Sequence, residues 1–302
     1  MSEFEGKVVV ITGAGGGLGK AHALEFAKRG ARVVVNDLGC SVHGDDSSDM
    51  ADQVVHEIKA AGGEAIANKS SVSNHEDAMN IITDTVDAYG TIDILVNNAG
   101  ILRDKSFRNM TLDEWDQVID VHINGTAYVT HAAWPIMYQN NYGRIVLTSS
   151  GSGIWGNFGQ SNYGAAKMAM LGLMNVLALE GAAHNIRVNC LAPGAATRMT
   201  ATVPGREPVD LDDPPPERAT SLVTPAVIYM CSEDAPTGKV IQASGGNFST
   251  AAMYTNDGAQ LGVDATYESL VDNLDIITDM SNIEDGIVKR KRMRAQTRGR
   301  QG

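Results

Sequence analysis

Basic side chains are the scarcer sign in this sequence: 24 Lys and Arg stand against 36 Asp and Glu, a formal net charge of −12. Neutralising phosphates needs a basic face, so this balance argues against general nucleic-acid binding. Cysteine is scarce as well. Cys40, Cys190 and Cys231 show no paired spacing and no CxxC, which argues against a disulfide framework or a metal site and suits small buried hydrophobes in a reducing compartment. No apolar run approaches the ~18 residues a membrane span needs, and no basic, cleavable apolar leader precedes the first strand-like run. These absences predict a cytoplasmic protein with no membrane span, no metal and no nucleic-acid partner.

The charge that is present is uneven. Lys289 to Gly302 carries seven Lys or Arg and no acid, so the body before it stands at −12 − 7 = −19. A terminal block of like charge reads as a solvated tail, with contact to an anionic partner as the alternative.

With 302 residues, 43% of them apolar, the chain can bury a full α/β core. Short β-branched runs at Val8–Thr12, Arg32–Asn36, Ala65–Asn68, Ile92–Asn97 and Arg144–Ser149 alternate with helical patterns at Leu18–Arg29, Ala51–Ala61, His75–Tyr89 and Leu112–Asn140. A further helix, Asn162–Ala183, precedes strands at Arg187–Leu191 and Val240–Ala243. This rhythm predicts a single-domain, Rossmann-like, doubly wound parallel sheet of about seven strands, with helices on both faces. It breaks after Pro193, where a Pro- and Asp-rich stretch at about 195–220 reads as a substrate loop beyond a strand's carboxyl end. The domain is expected to occupy residues 1–263, with 264–302 as a C-terminal extension ending in the basic tail.

The run from Thr12 through Gly13, Gly15, Gly16, Gly17, Leu18 and Gly19 closes the first strand and opens the first helix. Glycines there give a tight turn and close backbone approach to a pyrophosphate, and the helix N-terminus supplies unpaired N–H groups. Asp37 ends the second strand, 24 residues after Gly13. A carboxylate at that place accepts from the adenosine ribose hydroxyls and repels a 2′-phosphate, which predicts NAD over NADP.

Tyr163 and Lys167 lie four residues apart, hence on one face of a helix. An ammonium near a phenol lowers its pKa from about 10. A phenol so tuned suits a general base that takes a proton from an alcohol as hydride leaves its carbon. Ser150, thirteen residues upstream at a strand end, is placed to hydrogen-bond the substrate oxygen.

With Asn97-Asn98-Ala99-Gly100 and Pro193-Gly194 added to these residues, the chain resembles the classical short-chain dehydrogenase/reductase family over roughly residues 6–250. The resemblance implies a tyrosine base at Tyr163, a substrate-orienting Ser150, and a Lys167 that also holds the nicotinamide ribose. It implies cofactor contacts from Gly13, Gly17, Leu18, Gly19, Asp37, Asn97, Ala99, Gly100, Tyr163, Lys167, Pro193, Gly194 and Thr197, and a homodimer or homotetramer paired through the long helices. One position departs from the family pattern: His122 stands where most members carry an asparagine in a proton relay, with Asn124 two residues on. Either His122 serves the relay or it is a satisfied core histidine; it can exchange protons near neutral pH.

Local stretches, among them Asn98 to Phe107 and Gly156 to Gln160, resemble a narrower branch, the (3R)-hydroxyacyl-CoA dehydrogenase domains of type 2 peroxisomal multifunctional enzymes, also known as 17β-hydroxysteroid dehydrogenases. A (3R)-3-hydroxyacyl-CoA is therefore the expected substrate, with a steroid or other bulky secondary alcohol as the alternative. An NAD-binding sensor without turnover is the reading from another class. Trp155, Asn157 and Phe158, between Ser150 and Tyr163, are expected to wall the pocket, with core packing the alternative for Trp155 and Phe158. Arg103, Lys105 and the basic tail are the candidates to meet CoA phosphates.

Overall fold

Five successive β-branched or aliphatic residues, Val8–Thr12, make a strand buried along its whole length, and this strand (β1) is the centre of the fold. The computed structural model describes residues 3–39, 49–197, 210 and 214–299. Cys40 and most of the expected 195–220 loop lie outside them. The strands that follow are β2 (Arg32–Asn36), β3 (Glu64–Asn68), β4 (Ile94–Asn97), β5 (Gly143–Thr148), β6 (Ile186–Gly194), β7 (Val240–Ser244) and β8 (Asn247–Ala251). They form one sheet in the order β3-β2-β1-β4-β5-β6-β7-β8. All pairs from β3 through β7 are parallel. The chain reverses direction in strand order between β1 and β4, the switch point beside which open α/β sheets bind ligands.

Among the described residues the sheet holds eight strands, one beyond the expected seven. The eighth, β8, follows β7 across Gly245 and Gly246, whose φ values of +57° and +76° suit a two-residue hairpin turn and turn the strand back antiparallel. Its residues are mostly exposed, so it carries none of the apolar periodicity that marks the buried strands.

Helices cover both faces: α1 (Gly17–Lys28), α2 (Met50–Ala60), α3 (His75–Tyr89), α4 (Leu112–Ile119), α5 (Gly125–Asn140), α6 (Gly151–Trp155), α7 (Ser161–Glu180) and α8 (Thr224–Cys231). Val9, Ile11, Val33, Val35, Ile94 and Val96 pack one face of the sheet against Ala23 and Phe26 of α1, Val54 and Ile58 of α2, and Val227 and Met230 of α8. Local chemistry sets the ends. Asn74 caps α3 by accepting from the Asp77 N–H at 3.0 Å, and Thr111 and Glu114 form a reciprocal capping box on α4.

The single helix expected over Leu112–Asn140 is two, joined by a π-helical turn at Asp120–Asn124. Such turns insert a residue into the helical ladder and re-aim the side chains around them. Here the turn carries His122.

Residues 251–302 form a second compact unit, and the boundary expected at 263 falls inside it. In that unit β9 (Tyr254–Thr255) pairs antiparallel with β10 (Glu284–Asp285). Short helices α9 (Tyr267–Asp272) and α10 (Leu274–Thr278) lie between them, and α11 (Gly286–Gly299) follows. Asn256 ties its loop together by donating to the Ile277 and Asp279 carbonyls at 2.9 and 2.8 Å. Arg292 pairs with Glu284 at 2.8 Å.

Candidate active site

A cavity of about 590 Å³ opens beyond the carboxyl ends of the central strands. Gly13, Gly17, Leu18 and Asp37 line it from the first two strand–helix connections, and Ala99 and Gly100 follow β4. Ser150, Tyr163 and Lys167 line it from β5 and α7, and Pro193, Gly194 and Thr197 from the end of β6.

The glycine turn is fixed from below. Thr12 Oγ1 accepts from the backbone N–H groups of Asn98 and Ala99, both at 3.0 Å. Asn98 Nδ2 donates back to the Thr12 and Gly13 carbonyls at 2.9 and 3.0 Å. Gly13 has φ +64°, and a Cβ there would stand 2.8 Å from Ala99 Cα. Only glycine meets both constraints. Asn97 does not line the cavity; it is buried and donates to Thr130 Oγ1 at 3.0 Å, which ties β4 to α5. Gly19 lies beneath the turn rather than in the lining, packed against Gly13 and Asn98.

Asp37 accepts from the Gly15 N–H through Oδ2 and from the Gly39 N–H through Oδ1, each at 2.8 Å. The carboxylate is thus oriented at the cavity wall with lone pairs left for hydroxyl donors. These residues fit a nicotinamide dinucleotide: a tight glycine cradle at a helix N-terminus, an acceptor for ribose hydroxyls, and Pro193-Gly194 and Thr197 across the cavity.

At the other end, Ser150 begins α6, and its hydroxyl accepts from the Ser152 N–H at 3.1 Å. Burial pushes the Tyr163 phenol up to about 12; a hydrogen bond with Ser150 favours the phenolate, and the charge of Asp104 opposes it. Lys167 donates to the Thr148 carbonyl at 2.7 Å, and burial brings its ammonium down to about 7. Its Nζ lies 5.5 Å from the centroid of the Tyr163 ring. The expected lowering of the phenol by Lys167 is therefore not found, because desolvation dominates both groups.

His122 lines the cavity and is buried. Its ring meets Tyr163 edge to face at 5.2 Å, and Nε2 lies 2.8 Å from the Ile101 carbonyl oxygen and 3.1 Å from the Ile101 N. Burial first, and then the charge of Lys167, hold the imidazole well below its usual range. Asn124 instead bonds Asp120 on the exposed side and does not line the cavity.

The pocket walls differ from expectation. Asn157 lines the cavity, but Trp155 and Phe158 do not. Trp155 is 70% exposed and Phe158 92%, so neither is core packing either; Trp155 donates to Gln242 Oε1 at 3.3 Å. Lys105 is engaged by Glu114 at 2.5 Å, while Arg103 lines the cavity and donates to Gln117 Oε1 at 2.9 Å. The sequence reading missed Asn162, which is fully buried. It donates to the Arg103 and Glu114 carbonyls at 3.2 Å each and accepts from the Tyr163 N–H at 2.7 Å. It thereby seats the start of α7, and its adjacency to Tyr163 was the one available signal.

A doubly wound sheet with this serine, tyrosine and lysine on one cavity with the glycine turn defines the class of oxidoreductases that act on CH–OH groups with a nicotinamide cofactor. A sequence model of the short chain dehydrogenase family matches residues 7–207, and the chain belongs to that family. It is 48% identical over 281 residues to peroxisomal multifunctional enzyme A of Dictyostelium discoideum, covering 92% of this chain and 62% of that protein. It is 45% identical over 283 residues to a short-chain type dehydrogenase/reductase of Mycobacterium tuberculosis, covering 93% and 97%. The solved full-length peroxisomal multifunctional enzyme type 2 of Drosophila melanogaster superposes with a TM-score of 0.77 at 38% identity, covering 97% of this chain and 49% of that one. The narrower resemblance to the type 2 multifunctional enzymes is thus borne out, although the chain spans only about half to two-thirds of those relatives.

The expected cytoplasmic location is overturned. The Dictyostelium protein and several other relatives are named as peroxisomal enzymes. An apolar leader is a signal for secretion, whereas other compartments are addressed by short receptor-read signals. Among the described residues no helix is long and apolar enough to cross a membrane.

Proposed function

We propose that the chain is an NAD-dependent (3R)-3-hydroxyacyl-CoA dehydrogenase in which Tyr163 is the general base, Ser150 orients the substrate hydroxyl and Lys167 holds the nicotinamide ribose. The observation that carries this reading is the meeting of Ser150, Tyr163 and Lys167 on one cavity with Gly13, Gly17 and Asp37. Bound oxidised nicotinamide supplies the hydride acceptor and a positive charge that favours the phenolate. Ser150, already bonded to Tyr163, places the alcohol oxygen between two hydroxyl groups. Tyr163 takes the alcohol proton as the carbinol hydrogen departs, and run in reverse it protonates the new alkoxide. When protonated, with one N–H on the Thr148 carbonyl, Lys167 keeps two donors for ribose hydroxyls. Asp37 supports NAD over NADP, because its oriented carboxylate would meet a 2′-phosphate with like charge. A homodimer or homotetramer remains part of the proposal, by family resemblance.

The test is steady-state turnover of a (3R)-hydroxyacyl-CoA, its (3S) epimer and a 17β-hydroxysteroid, each with NAD+ and NADP+. Preferential oxidation of the (3R) thioester with NAD+ is expected. Turnover of the steroid alone would replace the substrate assignment, and NAD binding without turnover of any of the three would favour a sensor.

A further inference from the structure

Three polar side chains, Asp104 and the sequence-near pair Asn157 and Gln160, form a chain beside the reacting groups. Gln160 is buried, and its Nε2 donates to Asp104 Oδ2 at 2.7 Å. Its Oε1 accepts from Asn157 Nδ2 at 2.9 Å. A parallel β-bridge between Lys105 and Gln160 holds the two segments together. The other oxygen of Asp104, Oδ1, is buried with no partner among the described residues. Gln160 and Asn157 both line the cavity with Ser150 and Tyr163.

The polarity of this chain is set at its buried end. Burial raises the Asp104 carboxyl above its usual range and the Gln160 amide opposes this; while ionised it only accepts, so Gln160 turns its NH2 toward Asp104 and its oxygen toward Asn157. Asn157 must then offer its own NH2 to Gln160, which leaves one N–H and Oδ1 for other partners at the cavity wall. Without the carboxylate, both amides could rotate end for end and exchange donor for acceptor at the wall.

We propose that Asp104 is a positioning residue that acts through Gln160 to fix which way round the Asn157 carboxamide faces the cavity, and so selects substrates with a carbonyl or amide group near the carbinol. The proposal rests on the acyl-thioester reading above. A polar acyl group finds its complement in this fixed amide, whereas an alcohol flanked only by hydrocarbon leaves it unpaired.

The experiment is a double-mutant cycle of Asp104→Asn and Asn157→Ala, read as KM and kcat for (3R)-hydroxybutyryl-CoA and for a simple secondary alcohol, alongside the side-chain amide resonances of Gln160 and Asn157. Loss of one substrate hydrogen bond should raise the thioester KM about ten-fold in Asn157→Ala, several times more than it raises the KM of the simple alcohol. Asp104→Asn should raise the thioester KM several-fold, shift the Asn157 amide resonance, and add nothing further in the Asn157→Ala background. Asp104 also acts on Tyr163 through its charge, but that effect falls on kcat and its pH profile and would survive in Asn157→Ala. Additive effects on KM, or an Asn157 resonance unmoved by Asp104→Asn, would overturn the proposal. If the wild type ignores the thioester while the resonance still shifts, the substrate reading fails and the positioning chain stands without its selectivity.

Discussion

Replacing Thr12 by valine removes one oxygen and almost no volume, yet it withdraws the acceptor that holds the cofactor turn to the end of β4. Thr12 is 1% exposed, and its Oγ1 accepts from two backbone N–H groups, Asn98 and Ala99, at 3.0 Å each. A buried donor left without its partner costs about 1–3 kcal/mol, and the lower end applies here because both donors are only partly buried. Two donors therefore give a loss of about 2–4 kcal/mol, a large share of a typical domain's stability. Since Asn98 also ties the Thr12 and Gly13 carbonyls, the turn should loosen and NAD affinity should fall by at least about ten-fold. The assay is urea unfolding with and without NAD+, paired with a direct cofactor titration. Thr12→Ser, which keeps the oxygen, should recover most of both losses. A Thr12→Val protein within about 0.5 kcal/mol of wild type, with unchanged NAD affinity, would refute the assignment of this hydroxyl as the latch.

Lys167, ordinarily near 10.5 and brought to about 7 by burial, binds more protons unfolded than folded between those values. Its contribution to stability must therefore rise with pH from about 7 to about 10, by at most about 1.4 kcal/mol per unit. In the cofactor-free protein the stability difference between wild type and Lys167→Met should move in wild type's favour across that window, and a flat difference would contradict the buried, neutralised amine. Asp37→Ala deletes two charge-assisted bonds and the ribose acceptor; NAD affinity should fall about ten-fold or more, with NADP+ losing less. Trp155→Ala should change KM by less than about two-fold and stability by less than about 0.5 kcal/mol, since the ring is mostly exposed and off the cavity.

Much of this was legible because buried parallel strands and helix caps are local signals. Val8–Thr12, Arg32–Asn36 and His75–Tyr89 fall where the β-branched runs and the amphipathic period place them, and the motif residues Ser150, Tyr163 and Lys167 share one cavity as their spacing suggests. What the sequence hid was set by tertiary context. Nothing in Asp120–Asn124 announces a π-turn, because the inserted residue needs neither glycine nor proline. Trp155 and Phe158 were placed in the wall from chain position alone. The link between Ser150 and Tyr163 instead turns outward at Gly156 and Gly159, both in the left-handed region at φ +79° and +82°. The Asp104–Gln160 bond joins residues 56 apart, beyond any local pattern. The protonation of Tyr163 and Lys167 was misjudged for a related reason: spacing shows which charges meet, but only the folded core shows how much water each has lost.

The most direct measurement removes the Tyr163 hydroxyl alone. Tyr163→Phe should bind NAD with wild-type affinity, keep its fold, and lose about 10²- to 10⁴-fold in kcat for alcohol oxidation, the share expected of a positioned general base. A Phe variant that retains turnover within a few-fold of wild type would contradict the account, because some other group would then be taking the proton.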